Sequence, residues 1–486
     1  MSKNYFNDPI LTNWELVSVN PKDKNWTWMT VFNIWANSIQ SLIGFSLIAT
    51  LFLVYGLNGW VIFLGTILGG IFTIFIANLS GKPCQKMGIP FVVFLRLSMG
   101  VYGARFVGLL RGIVGIFMFG TQTFFISKSI GFLIRVAFFS LDENLMNKEI
   151  FNKFYLDLGI IDWSALMITA LIQYYLFTRS INLIKKIINF SGILIYLAMI
   201  SFTLLIFSKL QTELINSFFS IFRFDETIDL KNIFPLISVF GTMFVYFSII
   251  LINFGDYSRY VKNESELKKG NYSLIINIIL FSFMAVFITL GVDIIFNKQL
   301  VKLDRILTNP TDIVRQIDQI YLTILVLIFV IISSAGTNLI VNYIPSSYSL
   351  INFIPNKISI KSCGFTISIL GFAIGGLWVS IISKIGLLSI IDTIGAFFGP
   401  LFGIMIVDYY LIKKQSYVPK DLFSSDPNGR YFYSKGWNLK ALYALFIAFV
   451  FSAVTIWNQD FAHLQSYAWL LGAFMGGLMH FLLSKK

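Results

Sequence analysis

Cysteine and histidine are nearly missing from this 486-residue chain, with two of each. Cys84 and Cys363 lie far apart and match no disulfide or thiolate-metal framework. His463 and His480 come late and lack ligand-type spacing, so no metal cofactor is expected. Charge is scarce as well: 13% of residues are Asp, Glu, Lys or Arg, about half the share usual in a soluble domain. There is no HExxH, no catalytic Ser–His or Asp pair and no phosphate-binding loop, which argues against an enzyme. The net charge of +13 would suit nucleic acid, but the basic residues sit singly between apolar runs and form no stripe. Nucleic acid is therefore not an expected partner. Alternating ten-residue runs are absent too, which excludes a transmembrane barrel. The first residues, Met1 to Asn25, are polar, carry Pro9 and Pro21, and lack the apolar core of a signal peptide. They are expected to be retained.

What remains is apolar. Hydrophobic residues make up 56% of the chain, and the mean hydropathy is +0.76. A helix needs about 20 mostly apolar residues to cross a bilayer. About twelve such segments can be read, near 27–54, 58–79, 104–139, 161–178, 184–208, 232–254, 271–296, 319–345, 362–382, 386–412, 438–457 and 464–484. They must be helical, because lipid satisfies no free backbone group. Segment 3 is long enough to tilt or to leave the bilayer at its end. With a cytoplasmic N-terminus, the cytoplasmic loops and both termini hold about 22 of the 37 basic residues, against about 10 opposite. The expectation is a multi-pass cell-membrane protein with both termini cytoplasmic, the bilayer itself being a partner. The stretch from Ser80 to Gly103 is too apolar in its middle to be a free linker, so an interfacial or re-entrant piece fits it.

Four segments carry more polarity than a plain helix bundle needs. Segment 1 has Asn33, Asn37, Ser38, Gln40 and Ser41; segment 3 has Thr121, Gln122, Thr123 and Lys128; segment 6 has Thr242, Ser248, Asn253 and Asp256; segment 8 has Ser333, Ser334, Thr337, Asn338 and Asn342. Any one Ser, Thr or amide can simply bond its own backbone or a neighbouring helix. Together they put Gln40, Gln122 and Asn342 at comparable depth on three segments. An amide donates and accepts at once, which suits a neutral heterocycle with adjacent N–H and C=O groups. Segments 1 and 6 stand in corresponding positions of two halves, where broken helices point to a midplane binding site.

The same residues resemble motifs of the nucleobase:cation symporter-1 family, which includes hydantoin, allantoin, uracil, cytosine and purine permeases. The stretch from Gly88 to Gly103 is similar to the family's loop between segments 2 and 3. Phe119-Gly120-Thr121-Gln122-Thr123 resembles its segment 3 motif, and Asn253-Phe-Gly-Asp256-Tyr-Ser-Arg259 the motif closing segment 6. Gly336-Thr337-Asn338 with Asn342 matches segment 8, and Gly399 to Tyr409 resembles the end of segment 10. The order and spacing of these strings run from about Asn13 to Leu482.

The resemblance implies an all-α, leucine-transporter-type fold of about twelve transmembrane helices. A cytoplasmic tail (1–26) would precede two five-helix inverted repeats (27–208 and 232–412) and two C-terminal helices (438–486). It also implies that Gln122 and Asn342 hydrogen-bond the substrate, with Gln40 and Asn37 from segment 1 lining the same pocket. The cation site, between segments 1 and 8, would use carbonyls of Ala36, Ile39 and Ser333 with the Thr337 hydroxyl. The coupling ion would be Na+ or H+. Three departures stand out. Met118 and Phe247 occupy positions where the family often has tryptophans. Gly336 stands where sodium-coupled members can supply a serine hydroxyl, for which Ser334 could compensate. Lys128, about 9 Å along a helix from Gln122, either snorkels to the outer interface or lines an outer vestibule.

The function expected is secondary active import of a small neutral nucleobase, allantoin or hydantoin-like compound by a single chain. The alternative is a transporter of the same fold for an amino acid or other zwitterion. That reading wants a half-helix N-terminus aimed at a carboxylate, whereas segment 1 offers Asn37 and Gln40 and no glycine pair. A channel is disfavoured by the lack of charged rings.

Overall fold

A computed structural model of the chain describes residues 10–142, 150, 153–222, 233–248, 250–298, 313, 320–385 and 387–485. Of the loop 297–318, which also carries basic residues, only 297, 298 and 313 are among them, and Lys486 lies outside. Among the described residues, nine helices are long and apolar enough to cross a membrane, and one bent pair makes a tenth. Two shorter apolar helices, Ile233–Ser248 and Ile360–Gly376, supply segments 6 and 9.

Segment 1 is broken. Helix α1 (Trp28–Ile39) and helix α2 (Leu42–Leu53) are separated by Gln40 and Ser41, and the chain bends by 62° between them. The cause is local: Ser41 leaves helical geometry and its hydroxyl caps α2 by accepting the Gly44 N–H at 2.9 Å. The last carbonyls of α1 lose helical partners and take others. The Tyr246 hydroxyl of segment 6 lies 2.8 Å from Ile39 O and 2.9 Å from Ser41 Oγ.

Helix α3 (Gly59–Met87) ends at Gly88, whose φ of 72° is the left-handed cap. Helix α4 (Phe91–Met99) follows and is buried throughout. The Asp256 carboxylate accepts its first N–H, from Phe91, at 2.9 Å, where the helix dipole favours an anion. The apolar middle of the 80–103 stretch is thus a packed short helix. Helix α5 (Gly103–Leu141) has 39 residues, about 58 Å at 1.5 Å per residue, well beyond the hydrocarbon thickness of about 30 Å. Helices α6 (Ile160–Phe177), α7 (Ile181–Leu210) and the short α8 (Thr212–Ile221) complete the first half.

In the second half, α9 (Ile233–Ser248) gives way to turns and the single-turn α10 (Gly255–Ser258), so segment 6 is interrupted as segment 1 is. After α11 (Glu264–Lys298) comes segment 8: α12 (Ile320–Thr337), a π-helical turn (Asn338–Tyr343) and α13 (Ile344–Phe353). Helices α14 (Ile360–Gly376), α15 (Leu387–Val407), α16 (Leu439–Trp457) and α17 (Ala468–Ser484) finish the bundle. Helices α15 and α17 cross so closely that a Cβ at Gly403 would lie 1.8 Å from Ala473 O. Small residues are what permit such an approach between membrane helices.

The described part of the N-terminal region is not a loose tail. Leu11 and Leu16 are fully buried. Arg96 donates to Leu11 O at 3.1 Å, and Arg259 to Glu15 O at 2.9 Å. Burial raises the Glu15 carboxyl above its ordinary range, and Arg259 opposes that shift.

Candidate functional site

The break in segment 1 meets the last turn of α12. The Thr337 hydroxyl donates to Asn37 O at 2.6 Å and lies 3.3 Å from Ser333 O. Ala36, Ile39, Ser333 and Thr337 are all buried. Ala36 O accepts the Gln40 N–H at 3.0 Å, and Ile39 O is the carbonyl reached by Tyr246. The arrangement is a set of uncharged oxygens at a helix C-terminus, where the dipole is negative. Such oxygens can take a small hard cation.

The Asn37 amide is engaged within the protein. Its Nδ2 donates to Asn33 O (2.7 Å) and Ile188 O (3.0 Å), and its Oδ1 accepts the Ser191 hydroxyl at 2.7 Å. It ties segment 1 to segment 5. This explains Gly336: a Cβ there would lie 2.3 Å from both Asn37 Oδ1 and Ser191 Oγ. The space that a serine would need is filled.

A second polar cluster joins segments 3, 4 and 8. Asn342 Nδ2 donates to Asn338 Oδ1 at 2.9 Å. Asn338 Nδ2 faces Thr123 Oγ1 (3.2 Å), Phe119 O (3.3 Å) and Gln173 Oε1 (3.4 Å). The Thr123 hydroxyl reaches Gln173 Oε1 at 2.9 Å. The π-helical turn carries both asparagines, and such turns often mark functional sites. Nε2 of Gln122 and Nε2 of Gln173 are buried without a partner among the described residues. Buried donors left open in this way are costly unless a ligand or water meets them.

Three of the six expected substrate residues line two cavities, while Gln122, Asn37 and Phe247 line neither. Met118 and Asn342 line one of about 40 Å³, with Arg111, Val114, Val245, Ser248, Phe398 and Trp469. Gln40 lines another, of about 90 Å³, with Ser41, Ser333, Ser334 and an apolar wall from segments 5, 7 and 8. Of these two cavities, Gln40 and Asn342 therefore line different ones. Both polar atoms of the Gln40 amide are buried without a hydrogen-bond partner among the described residues. Phe247 is buried against Tyr246, ring centroids 5.6 Å apart, and lines neither cavity. A third, larger space of about 650 Å³ opens beneath segment 8, between Glu15, Trp26, Arg179, Arg259 and Tyr348.

Lys128 neither snorkels alone nor lines a cavity described above. It pairs with Asp162 at 3.4 Å, a carboxylate shared with Arg135 at 2.9 Å, and lies 5.0 Å over the Phe124 ring. Sequence reasoning passed over Gln173, Ser191, Tyr246 and Arg111. For Arg111 the signal was available, because a charge inside a spanning segment normally faces a cavity or a partner.

Comparison with known proteins agrees with this geometry. A family described as permeases for cytosine/purines, uracil, thiamine and allantoin matches residues 18–476. The purine-uracil permease NCS1 of Arabidopsis thaliana is 26% identical over 457 residues, covering 90% of this chain and 70% of that protein. The allantoin permease of Bacillus subtilis is 24% identical over 480 residues, covering 98% and 93%. Among solved structures, the transporter Mhp1, closed with bromovinylhydantoin bound, superposes with a TM-score of 0.72 at 17% identity, covering 97% and 95%. Its inward-facing form gives 0.70 at 16%, covering 98% and 93%. The fold is that of these transporters, the leucine-transporter type.

Proposed function

Because the chain belongs to the family of permeases for cytosine/purines, uracil, thiamine and allantoin, we propose that it imports a small neutral nucleobase, allantoin or hydantoin-like compound by cation-coupled alternating access. The chain is a multi-pass membrane permease, not an enzyme. The observation that carries the finer reading is the pairing of a broken segment 1 with a π-turned segment 8. The first leaves uncharged carbonyls beside Thr337; the second gathers Asn338, Asn342, Thr123 and Gln173, with the open amide of Gln122 on the facing helix. Gln122 and Asn342 read the edge of the ring, Met118 and Phe247 cover its apolar surface, and Gln40 and Asn37 hold the segment 1 break. The ion is Na+, held by oxygens of Ala36, Ile39, Ser333 and Thr337 when the Thr337 hydroxyl turns from Asn37 O. The ranges 27–208 and 232–412 are the two inverted repeats, with the helices of 438–486 outside them. Both termini are cytoplasmic, and one chain suffices.

The zwitterion reading is weaker, because the N-terminus of α2 is already capped by Ser41. Uptake into proteoliposomes tests the proposal. Labelled uracil and allantoin should accumulate under an inward sodium gradient. Uptake that ignores sodium and follows a pH gradient removes the sodium assignment. Accumulation of an amino acid instead, with neither compound competing, removes the substrate class.

A further inference from the structure

The expected site rested on amides, but the cavity that holds Asn342 and Met118 also contains a cation. Arg111 lies on α5 and is 2% exposed. Its Nη2 donates to Asn253 Oδ1 at 3.0 Å and to Val341 O at 3.2 Å. Its guanidinium carbon stands 5.4 Å from the Phe398 ring centroid, and Nε is buried without a partner among the described residues. Five N–H donors are available to an arginine, and the two contacts of Nη2 use at most two of them. Among the described residues no carboxylate lines that cavity. Asp256 acts on Arg111 from outside the cavity lining; one of its oxygens accepts the Phe91 N–H, and the other has no hydrogen-bond partner among the described residues.

A structural reading exists. Val341 belongs to the π-helical turn, whose widened geometry frees carbonyls, and Arg111 fills one of them. That accounts for Nη2 alone. It leaves a nearly fully buried guanidinium facing Met118, Ser248 and Asn342. A planar fork of N–H donors matches carbonyl and anionic oxygens and repels amino groups and cations. The cavity is small, about 40 Å³, against the roughly 10–15 Å³ that one water needs, so the edge of a substrate fits it.

We propose that Arg111 is a specificity-determining residue: it meets the substrate's carbonyl edge beside Asn342 and selects oxo-heterocycles, or their monoanions, over amino-substituted or cationic ones. The inference rests on the transport reading above. Uracil and cytosine provide the test pair, because they differ in an oxo against an amino group on the same ring; thiamine adds a cation and allantoin a ureide. Competition against labelled uracil is measured in proteoliposomes for the wild type, Arg111→Gln and Arg111→Lys, with melting temperature recorded for each. The wild type should prefer uracil and allantoin to cytosine and thiamine. In Arg111→Gln that preference should fall about tenfold, in keeping with the loss of one charge-assisted hydrogen bond. Arg111→Lys, which keeps charge and loses the fork, should fall between. Should the glutamine variant fail to fold, the lysine variant decides. An unchanged preference in a destabilised variant means a structural clamp and overturns the proposal. A wild type that prefers cytosine or thiamine overturns it while leaving transport intact. A wild type that moves none of the four overturns the transport reading itself.

Discussion

Replacing Gly336 by serine separates two accounts of the ion site. If the site merely lacks a hydroxyl, Gly336→Ser supplies one and should lower the sodium concentration for half-maximal uptake. The packing says otherwise. A Cβ at 336 would stand 2.3 Å from Asn37 Oδ1 and Ser191 Oγ and 2.7 Å from Ser191 Cβ. To fit it, the Asn37 side chain must shift, and that side chain holds bonds to Asn33 O, Ile188 O and the Ser191 hydroxyl. Overpacking of this kind costs about 1–3 kcal/mol, and each buried bond lost adds about 1 kcal/mol. Asn37 also supplies the carbonyl that Thr337 reaches at 2.6 Å, so the strain falls on the junction of segments 1 and 8. If about 1 kcal/mol of it is felt there, the half-saturating sodium concentration should rise roughly fivefold, since 1.4 kcal/mol is tenfold. The melting temperature of the purified protein should fall as well. Sodium-jump uptake in proteoliposomes, with thermal melting in matched detergent, measures both. A serine variant with tighter sodium dependence and unchanged melting would refute the reasoning.

Further outcomes follow from the same geometry. Thr337→Ala should raise the sodium concentration needed for half-maximal uptake, because it deletes the one side-chain oxygen proposed for the ion; a wild-type protein indifferent to sodium would remove that role. Gln122→Ala and Asn342→Ala should each weaken substrate binding about five- to hundredfold, from about 1–3 kcal/mol for an unmet buried hydrogen bond, in binding normalised to folded protein. Phe247→Leu should cost less, because it keeps apolar area and loses only ring contacts. Asn338→Ala should lower thermal stability more than Gln122→Ala does, since Asn338 is bonded to Asn342 and Phe119 O, whereas Gln122 Nε2 has no partner among the described residues. Equal melting of those two variants would count against the network. A reporter fused after Lys486 should read cytoplasmic, and a signal from the opposite side would invert the topology.

Much of the fold was legible without coordinates. Lipid leaves a spanning chain no choice but helix, so twelve apolar runs of the right length imply twelve helices. The interruptions in segments 1 and 6 were legible too, because Gln40, Ser41, Asn253 and Asp256 are costly inside an apolar run unless the backbone or a neighbour meets them. The depth of Gln122, Thr337 and Asn342 follows from counting along their helices. Which groups face one another does not. Gln40 and Asn342 have similar depth, yet they line different cavities. Gln173 joined the cluster without any signal beyond its polarity, because its partners come from segments 3 and 8. Gly336 looked like a missing hydroxyl and proved to be the clearance for Asn37 and Ser191. The reason is geometric. Sequence spacing sets a residue's height and its angle around its own helix, but a contact between helices also depends on where their axes cross and on any turn that is not α. In segment 8 the π-helical turn after Thr337 shifts the face on which Asn338 and Asn342 lie, and only the packed structure records that rotation.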